Sequence, residues 1–334
     1  MVEREAVAKV QDLADEFDNA KAFKFPFMSR LKKGKAPLNA KMTLAVEKYD
    51  APKTTGAVDE ADPEEFEDPS AGDAEMDVRV HVWERAVRIG GLATSVTHQP
   101  GITPKNVVAK KVAKKLIELK RDCEVTGLSD NESQVDNGVV GNETRGLVRW
   151  AQATAQAHYP VPDDYLMPAT SLDSSTALAD YTDDTITAVV ESQYNETGDE
   201  TEENVVFAGS RWQRNLDRIT FSVKAESNRT VVRHFNDKIG PKVVLGKVQF
   251  LETSFGDVEV QLSQHINTGG DPTTAASKRL AVGGPLDNME LRWAEAPNMI
   301  ALAKTGRSTK FLVTATGALV VHNARKLIAW KPGS

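Results

Sequence analysis

The chain has 334 residues, of which 41 are basic and 48 acidic, so its formal net charge is −7. No run of about eighteen apolar residues is present, which excludes a transmembrane helix of the usual kind. The single cysteine, Cys123, excludes a disulfide framework and a multi-cysteine metal site, and the acidic balance argues against general nucleic-acid binding.

The first twenty residues have a helical pattern, because Val7, Val10, Leu13 and Phe17 recur at helical spacing with acids on the other face. Residues 1–5 lack the apolar core of a signal peptide, so we expect no secretion by that route.

Two unmixed blocks of charge follow. Residues 21–41 hold seven basic side chains and no acid, and residues 59–77 hold ten acids and no base. Both blocks are poor in large apolar side chains and cannot offset their own ordering entropy. They are either two solvated, mobile segments, or a basic arm of one copy that meets an acidic loop of another. In the second case the contact residues are Lys21, Lys24, Arg30, Lys32, Lys33, Lys35, Asp59, Glu60, Glu64, Glu65, Glu67 and Asp68.

A strand is predicted over residues 42–46, and a second strand-like run contains Val78, Val80, Val82, Ala86 and Ile89. About thirty polar residues separate the two runs. This pattern predicts a long two-stranded excursion with a flexible tip.

The strongest helix signal begins with Thr103 as N-cap and Pro104 at the first position. An apolar stripe ends at Cys123, for which we predict a packed thiol. The opposite face carries five lysines, which either bind phosphate or solvate a helix packed on one side; the second interpretation is favoured. The stripe residues are Val108, Val112, Leu116, Leu119 and Cys123, and the lysines are Lys110, Lys111, Lys114, Lys115 and Lys120.

The rest of the chain mixes helices and strands without regular βαβ alternation, which predicts an α+β fold. A Gly- and Asn-rich loop covers residues 127–146. Predicted helices follow over 146–157, from Thr182 as cap, and from Ser210 as cap, and a buried strand is predicted at 205–207. Late strands are predicted over 243–251, 258–262, 280–282, 289–293, 310–321 and 326–330.

Catalytic and cofactor motifs are missing. No Gly-x-Gly-x-x-Gly follows a strand, and the glycine spacing at 240–247 does not fit a phosphate loop, where Val248 also replaces the magnesium-binding hydroxyl. The six histidines are scattered singly. We therefore expect no enzyme, no cofactor and no metal site, and the mobile charged extensions favour a self-assembling structural protein.

Four motifs in consistent order resemble the major capsid proteins of tailed bacteriophages of the SU10-like family. They are Glu-Leu-Lys-Arg-Asp-Cys-Glu at 118–124, followed by Gly-Asn-Glu-Thr-Arg-Gly-Leu at 141–147 and Trp150; Phe-Gly-Asp-Val-Glu-Val at 255–260; Leu-Ala-Lys-Thr-Gly at 302–306; and Leu-Val-Val-His-Asn-Ala at 319–324. Two departures concern individual contacts: Gln264 and His265 replace an Asn-Arg pair, and Thr316 replaces an acid.

The resemblance implies the HK97 fold and a division of the chain. Residues 1–41 would be an N-terminal arm and 42–95 an extended loop over a neighbouring subunit. Residues 96–169 would form a peripheral domain with a spine helix over 104–125. An axial domain would cover 170–300, and 301–334 would return to the peripheral domain.

The implied function is self-assembly into an icosahedral shell of pentamers and hexamers around double-stranded DNA, assembled in the host bacterial cytoplasm and without sequence-specific DNA binding or membrane contact. Decoration, scaffold and portal proteins would be its further partners. The alternative with the same fold is an encapsulin-type compartment; a soluble enzyme and a nucleic-acid-binding module stay open as other classes.

Overall fold

The computed structural model describes residues 24–49, 52–54, 73–91, 104–153, 161–198, 204–221, 224–226, 229–231 and 249–333. The predicted helix over residues 1–20, the predicted cap Thr103 and the predicted strand residues 243–248 lie outside this part of the chain.

The described helices are α1 (Pro26–Arg30), α2 (Pro104–Gly127), α3 (Leu147–Trp150), α4 (Asp183–Thr197) and α5 (Ser210–Phe221). The described strands are β1 (Lys32–Lys33), β2 (Lys41–Val46), β3 (Ala74–Arg79), β4 (His81–Ile89), β5 (Leu172–Asp173), β6 (Asn204–Ala208), β7 (Lys224–Glu226), β8 (Arg229–Val231), β9 (Phe250–Thr253), β10 (Gly256–Leu262), β11 (Ala281–Pro285), β12 (Met289–Thr305), β13 (Ser308–Val321) and β14 (Ile328–Trp330).

A long sheet with the order β1-β12-β13-β4 forms one layer. Its centre is the antiparallel hairpin of β12 and β13, which runs from the pair Met289–Val321 to a turn at Gly306. The prediction gave β12 only five residues, 289–293. The strand continues to Thr305, so the expected domain boundary between 300 and 301 falls inside it. Two register shifts lie between Trp293 and Asn298, around Pro297. They interrupt the alternation of buried and exposed residues by which a strand is predicted.

Helix α2 packs along this sheet and completes the layer. Leu119 and Cys123 are buried against Trp83, Val313 and Ala315. The predicted stripe is confirmed for these two residues and for Val112, and the helix ends at Gly127. We call α2 together with β4, β12 and β13 the spine layer.

A six-stranded sheet with the order β5-β14-β11-β6-β10-β9 forms the second layer. Strand β6 is buried along its whole length, because Val205 and Phe207 contact one core while Val206 and Ala208 contact another. A strand buried on both faces reads as a continuous apolar run, which is why this element was predicted correctly. Helices α4 and α5 cover the second core with Val190 and Trp212.

The predicted two-stranded excursion is confirmed at its base, where β2 and β3 pair antiparallel from Lys41–Arg79 to Val46–Ala74. The second strand-like run is two strands instead of one. The buried face changes at Val80, so that Val78 is buried while Val82 is 52% exposed. Strand β4 belongs to the spine layer, where it pairs with β13.

The predictions of helices α3, α4 and α5 had different outcomes. Thr182 caps α4 as expected, and it forms a capping box with Thr185. Ser210 is the first residue of α5. The helix predicted over 146–157 is wrong in length: α3 is a single turn, because Ala151 leaves the helical conformation at ψ 52°.

Candidate intersubunit surfaces

Helix α1, which lies in the segment predicted to be the N-terminal arm and which we call the arm root, is anchored on the end of α2. The carboxylate of Glu124 is fully buried and accepts the backbone N–H groups of Phe27 at 2.8 Å and Met28 at 2.9 Å. Burial raises the pKa of Glu124 to about 7, against the opposing effect of these two hydrogen bonds. These two hydrogen bonds therefore hold the arm root on the spine layer.

The same root is fixed on the six-stranded layer. Phe27 meets the ring of Phe207 edge to face at 5.1 Å between centroids, and Arg30 forms an ion pair with Glu259. His265 stacks on Phe25, and its Nε2 lies 3.1 Å from the carbonyl oxygen of Lys24. His265, where the sequence departs from the family pattern, thus contacts the arm root.

The predicted basic contact residues are partly used within the chain. Arg30 pairs with Glu259, and Lys32 pairs with Asp287. Lys24, Lys33 and Lys35 are exposed, and no ion pair within the described residues involves them. Lys21 lies outside the described residues.

The predicted acidic contact residues cannot be placed, since Asp59, Glu60, Glu64, Glu65, Glu67 and Asp68 all lie outside the described residues. The end of the acidic block is described. Asp77 forms an ion pair with Lys41 at 2.7 Å and accepts a hydrogen bond from the Thr43 hydroxyl at 3.1 Å. The two charge blocks therefore meet within one chain at the base of the β2–β3 hairpin.

The outer end of the hairpin lies beside the 3-10 turn Asp163–Tyr165. Lys48 and Asp164 form an ion pair there at 2.7 Å, and the lysine lowers the pKa of the Asp164 carboxyl. This ion pair holds the residues that follow β2 against that turn.

The lysine face of α2 is present as predicted. Lys110, Lys111, Lys114 and Lys120 are exposed, while Lys115 forms an ion pair with Glu118 at 2.5 Å and lowers the pKa of that carboxyl. Nothing in the described residues places a ligand on this face.

Arg145, in the motif at 141–147, has a structural role. The Arg145 side chain is 2% exposed, its guanidinium lies 4.5 Å above the Trp150 ring, and its Nε donates to Glu132 at 2.9 Å. Arg149 donates to the other oxygen of Glu132 at 2.8 Å. Thr144 accepts the N–H of Leu319 at 3.2 Å, which ties the motif to β13.

The remaining motifs also occupy structural positions. Gly256, with φ 131°, makes the turn between β9 and β10, and Gly306, with φ 69°, makes the turn of the long hairpin. Asn323 caps the turn after β13 and exchanges two hydrogen bonds with Asn288, at 2.7 and 2.8 Å. The positive φ angles at Gly256 and Gly306 explain why glycine is needed in their two turns.

The pKa values of two titratable side chains of the described residues, Cys123 and His81, are shifted by burial. Burial raises the pKa of the Cys123 thiol to about 12 and lowers the pKa of His81 to about 4, so neither group is poised for catalysis at neutral pH. No cluster of three or more His, Cys, Asp or Glu side chains in the described ranges can hold a metal ion. No described helix has the length and apolar character needed to cross a membrane.

Comparison with known proteins gives a family and a fold. The profile of the SU10 major capsid protein family matches residues 2–331. No curated protein matches the sequence significantly. The capsid of an empty GTA particle has 10% identity and a TM-score of 0.63, over 97% of this chain and 96% of that chain.

Two phage structures are also similar to this chain. The capsid asymmetric unit of cyanophage A-1(L) has 11% identity and a TM-score of 0.61, over 96% of each chain. A structure from Mycobacterium phage Bobi has 10% identity and a TM-score of 0.56, over 99% of this chain and 98% of that chain. The fold is therefore the HK97-like α+β capsid fold, as predicted.

Proposed function

Because the chain belongs to the SU10 major capsid protein family, we propose that it forms the shell of a tailed bacteriophage from many copies of itself. It is a major capsid protein, and its place is the capsid of the virion. The family match over residues 2–331 carries this conclusion, and it does not favour the encapsulin-type compartment.

The two layers suggest a revised assignment of the elements to the predicted domains. The spine layer would be the peripheral domain, and it would include all of β12 and β13, since one hairpin cannot belong to two rigid bodies. The six-stranded layer with α4 and α5 would be the axial domain around the symmetry axes, and it would include β14. Residues 1–41 would be the arm, and the β2–β3 hairpin would be the root of the extended loop.

The shell would be held by repetition. Each contact between copies can be weak, because closure of a symmetric shell imposes all the contacts together. The anchored arm root and the anchored hairpin base would let the flanking segments reach neighbouring copies from fixed points. Icosahedral symmetry built from pentamers and hexamers fits this scheme.

The net charge of −7 suits a shell around double-stranded DNA, because a net-negative subunit does not hold the packaged genome by general electrostatic attraction. Assembly in the host bacterial cytoplasm, with portal, scaffold and decoration proteins as further partners, completes the proposal. Membership of a structural family implies a structural role in place of a catalytic one.

The test is expression of the full chain in a bacterium, followed by sedimentation and electron microscopy of the soluble fraction. We expect capsomers or closed shells of megadalton mass. A protein found only as a monomer or small oligomer would contradict the proposal. Shells that contain a co-purified protein cargo would favour the encapsulin-type compartment.

A further inference from the structure

The loop between α2 and α3 contains the dipeptide Asn137-Gly138, and no other asparagine of the chain is followed by glycine. A backbone nitrogen can attack the side-chain amide of the asparagine that precedes it and close a five-membered ring. A Cβ on the attacking residue hinders this closure. Because glycine has no Cβ, this dipeptide has the lowest steric barrier to the reaction.

The dipeptide lies at the exposed tip of the loop. The loop is closed at its base by two backbone hydrogen bonds between Gln134 and Glu143, at 3.0 and 3.2 Å. Asn137 and Gly138 are both exposed, and the next residue, Val139, is 92% exposed. A Cβ placed at Gly138 would meet nothing within 4 Å. Water therefore reaches the amide, and no described neighbour crowds the attacking residue.

The side-chain carbonyl of Asn137 is held and polarised by backbone donors. Its Oδ1 accepts the N–H groups of Val139 at 2.9 Å and of Val140 at 2.8 Å. These bonds direct the Asn137 side chain forward along the chain, past Gly138. When a nitrogen adds to the amide carbon, negative charge develops on this oxygen. Two donors already aimed at the oxygen stabilise that charge, as in an oxyanion hole.

A carboxylate is positioned on the attacking nitrogen. The backbone N–H of Gly138 donates to Oδ1 of Asp136 at 2.8 Å. An amide nitrogen is a poor nucleophile until it loses its proton, and this distance allows direct proton transfer. The N–H bond lies in the plane of the peptide, whereas the electron pair that attacks is perpendicular to that plane. The hydrogen bond to Asp136 is therefore compatible with attack on Asn137.

A second asparagine of the same loop has a different environment. Asn142 is followed by Glu143, which has a Cβ, and the N–H of Glu143 donates to the carbonyl oxygen of Gln134 at 3.0 Å. The Oδ1 of Asn142 accepts the N–H of Asp136 at 3.0 Å, which directs the Asn142 side chain back across the loop. Asn142 is therefore an internal control for the chemistry at Asn137.

We propose that Asn137 is a site of spontaneous deamidation, which the folded loop accelerates and for which water is the co-reactant. The Gly138 nitrogen bonds to Cγ of Asn137 while its proton passes to the Asp136 carboxylate. The Cγ–Nδ2 bond then breaks, and Nδ2 leaves as ammonia with that proton. Water opens the resulting succinimide ring at either carbonyl and gives aspartate or isoaspartate at position 137. The reaction is a hydrolysis, and it needs no oxidant or reductant.

The product changes the loop tip in charge and, for isoaspartate, in backbone length. The new carboxylate adjoins Asp136, so two like charges are placed side by side. An isoaspartate adds a methylene to the main chain before Gly138, within the turn that is closed by the hydrogen bond from the Asn137 N–H to the Val140 carbonyl at 3.1 Å. The change does not reverse, so subunits accumulate the altered tip with age.

Incubation of the purified full chain in H₂¹⁸O at neutral pH tests the site. At intervals the chain is digested, and mass spectrometry of peptides that cover residues 134–143 measures the conversion. Incorporation of ¹⁸O identifies conversion that occurs during the incubation, and electron-transfer fragmentation distinguishes aspartate from isoaspartate. We expect conversion at Asn137 and none at Asn142 over the same time.

A comparison with the chain unfolded in guanidinium separates the effect of the loop geometry from that of the sequence. We expect faster conversion in the folded chain. Asp136→Ser keeps an oxygen that can accept the Gly138 N–H but removes the carboxylate. It should slow the folded chain by about tenfold, less than the usual 10²–10⁴-fold of a positioned base because a carboxylate is a weak base, and leave the unfolded chain unchanged. The matched control Asp163→Ser makes the same change at another exposed turn and should have no effect.

Three outcomes would overturn the inference. Slower conversion in the folded chain than in the unfolded chain would show that the loop protects Asn137. Equal rates for folded Asp136→Ser and folded wild type would remove the carboxylate from the reaction. Conversion at Asn142 as fast as at Asn137 would deny the loop its selectivity. The inference goes beyond the proposed function and does not depend on it, since the unassembled chain is used.

Discussion

Glu124 shows how one residue joins the arm to the body. It is the buried acid of the motif at 118–124, and its partners are backbone N–H groups 97 and 96 residues away in sequence. The apolar stripe of the helix was predicted to end at Cys123, and nothing in the local sequence indicates that the next residue is fully buried.

We predict that Glu124 makes the subunit less stable as the pH rises. Its folded-state pKa of about 7 is raised above the unfolded value near 4.5 by burial, so the folded state holds the proton more tightly. This stabilisation is complete below the unfolded pKa and is lost as the pH rises through the folded pKa. The wild-type free energy of unfolding, relative to that of Glu124→Gln, should fall by on the order of 3 kcal/mol between pH 4 and pH 8.

Urea titrations of the unassembled subunit at several pH values measure this difference. The Glu124→Gln variant is the control, because its amide cannot titrate. If the two proteins gave parallel stability curves over this pH range, the Glu124 carboxyl would not be the group responsible.

At the scale of elements, close approach of backbones joins the loop after α2 to helix α3. A Cβ added at Gly146 would lie 2.2 Å from the carbonyl oxygen of Ser129 and 2.5 Å from its hydroxyl. Gly141, in the same motif, has nothing within 4 Å. The motif therefore contains one glycine that packing requires and another that packing does not require.

Gly146→Ala should destabilise the subunit by about 1–3 kcal/mol, the usual cost of overpacking where the neighbouring atoms are backbone. Gly141→Ala should leave the stability within about 1 kcal/mol of the wild type, and it is the matched control for Gly146→Ala because the chemical change is the same. Chemical denaturation of both variants measures the two effects. Equal losses of stability would show that the contact with Ser129 does not matter.

Local signals explain which elements could be predicted. Helix α2 has a regular stripe, α4 has the cap Thr182, and β6 is an uninterrupted apolar run, so each is specified by its own residues. Strand β12 is different, because its outer half is paired with β13 on one side only within the described residues and is exposed on both faces. Such an edge needs no alternation, and Pro297 is tolerated there.

At the scale of the whole molecule, one core joins the arm root, the β2–β3 hairpin and both large sheets. Phe27 of the arm, Met76 of the hairpin, Phe207 of the six-stranded sheet and Leu319 of the long sheet belong to the same buried cluster. The sequence could indicate that each of these residues is buried, but not that they share a cluster, because the contacts join segments far apart in the chain. The layout of the two layers depends on these long-range contacts, which the pattern of single elements does not contain.

This shared core predicts cooperative unfolding of the two layers. In hydrogen exchange of the unassembled subunit, the amides of β6 and those of β13 should open with the same free energy, because both strands contribute side chains to the shared cluster. Mass spectrometry of peptides that cover the two strands makes the comparison. Two well-separated opening energies would mean that the layers unfold independently.

The anchored arm root has a mechanical consequence. Tension applied to α1 would divide between Glu124 at the end of the spine helix and Glu259 in the six-stranded sheet. The load along the helix is carried by its own hydrogen-bond ladder, and the load on the sheet is shared among paired strands. Both layers would therefore oppose displacement of α1 together.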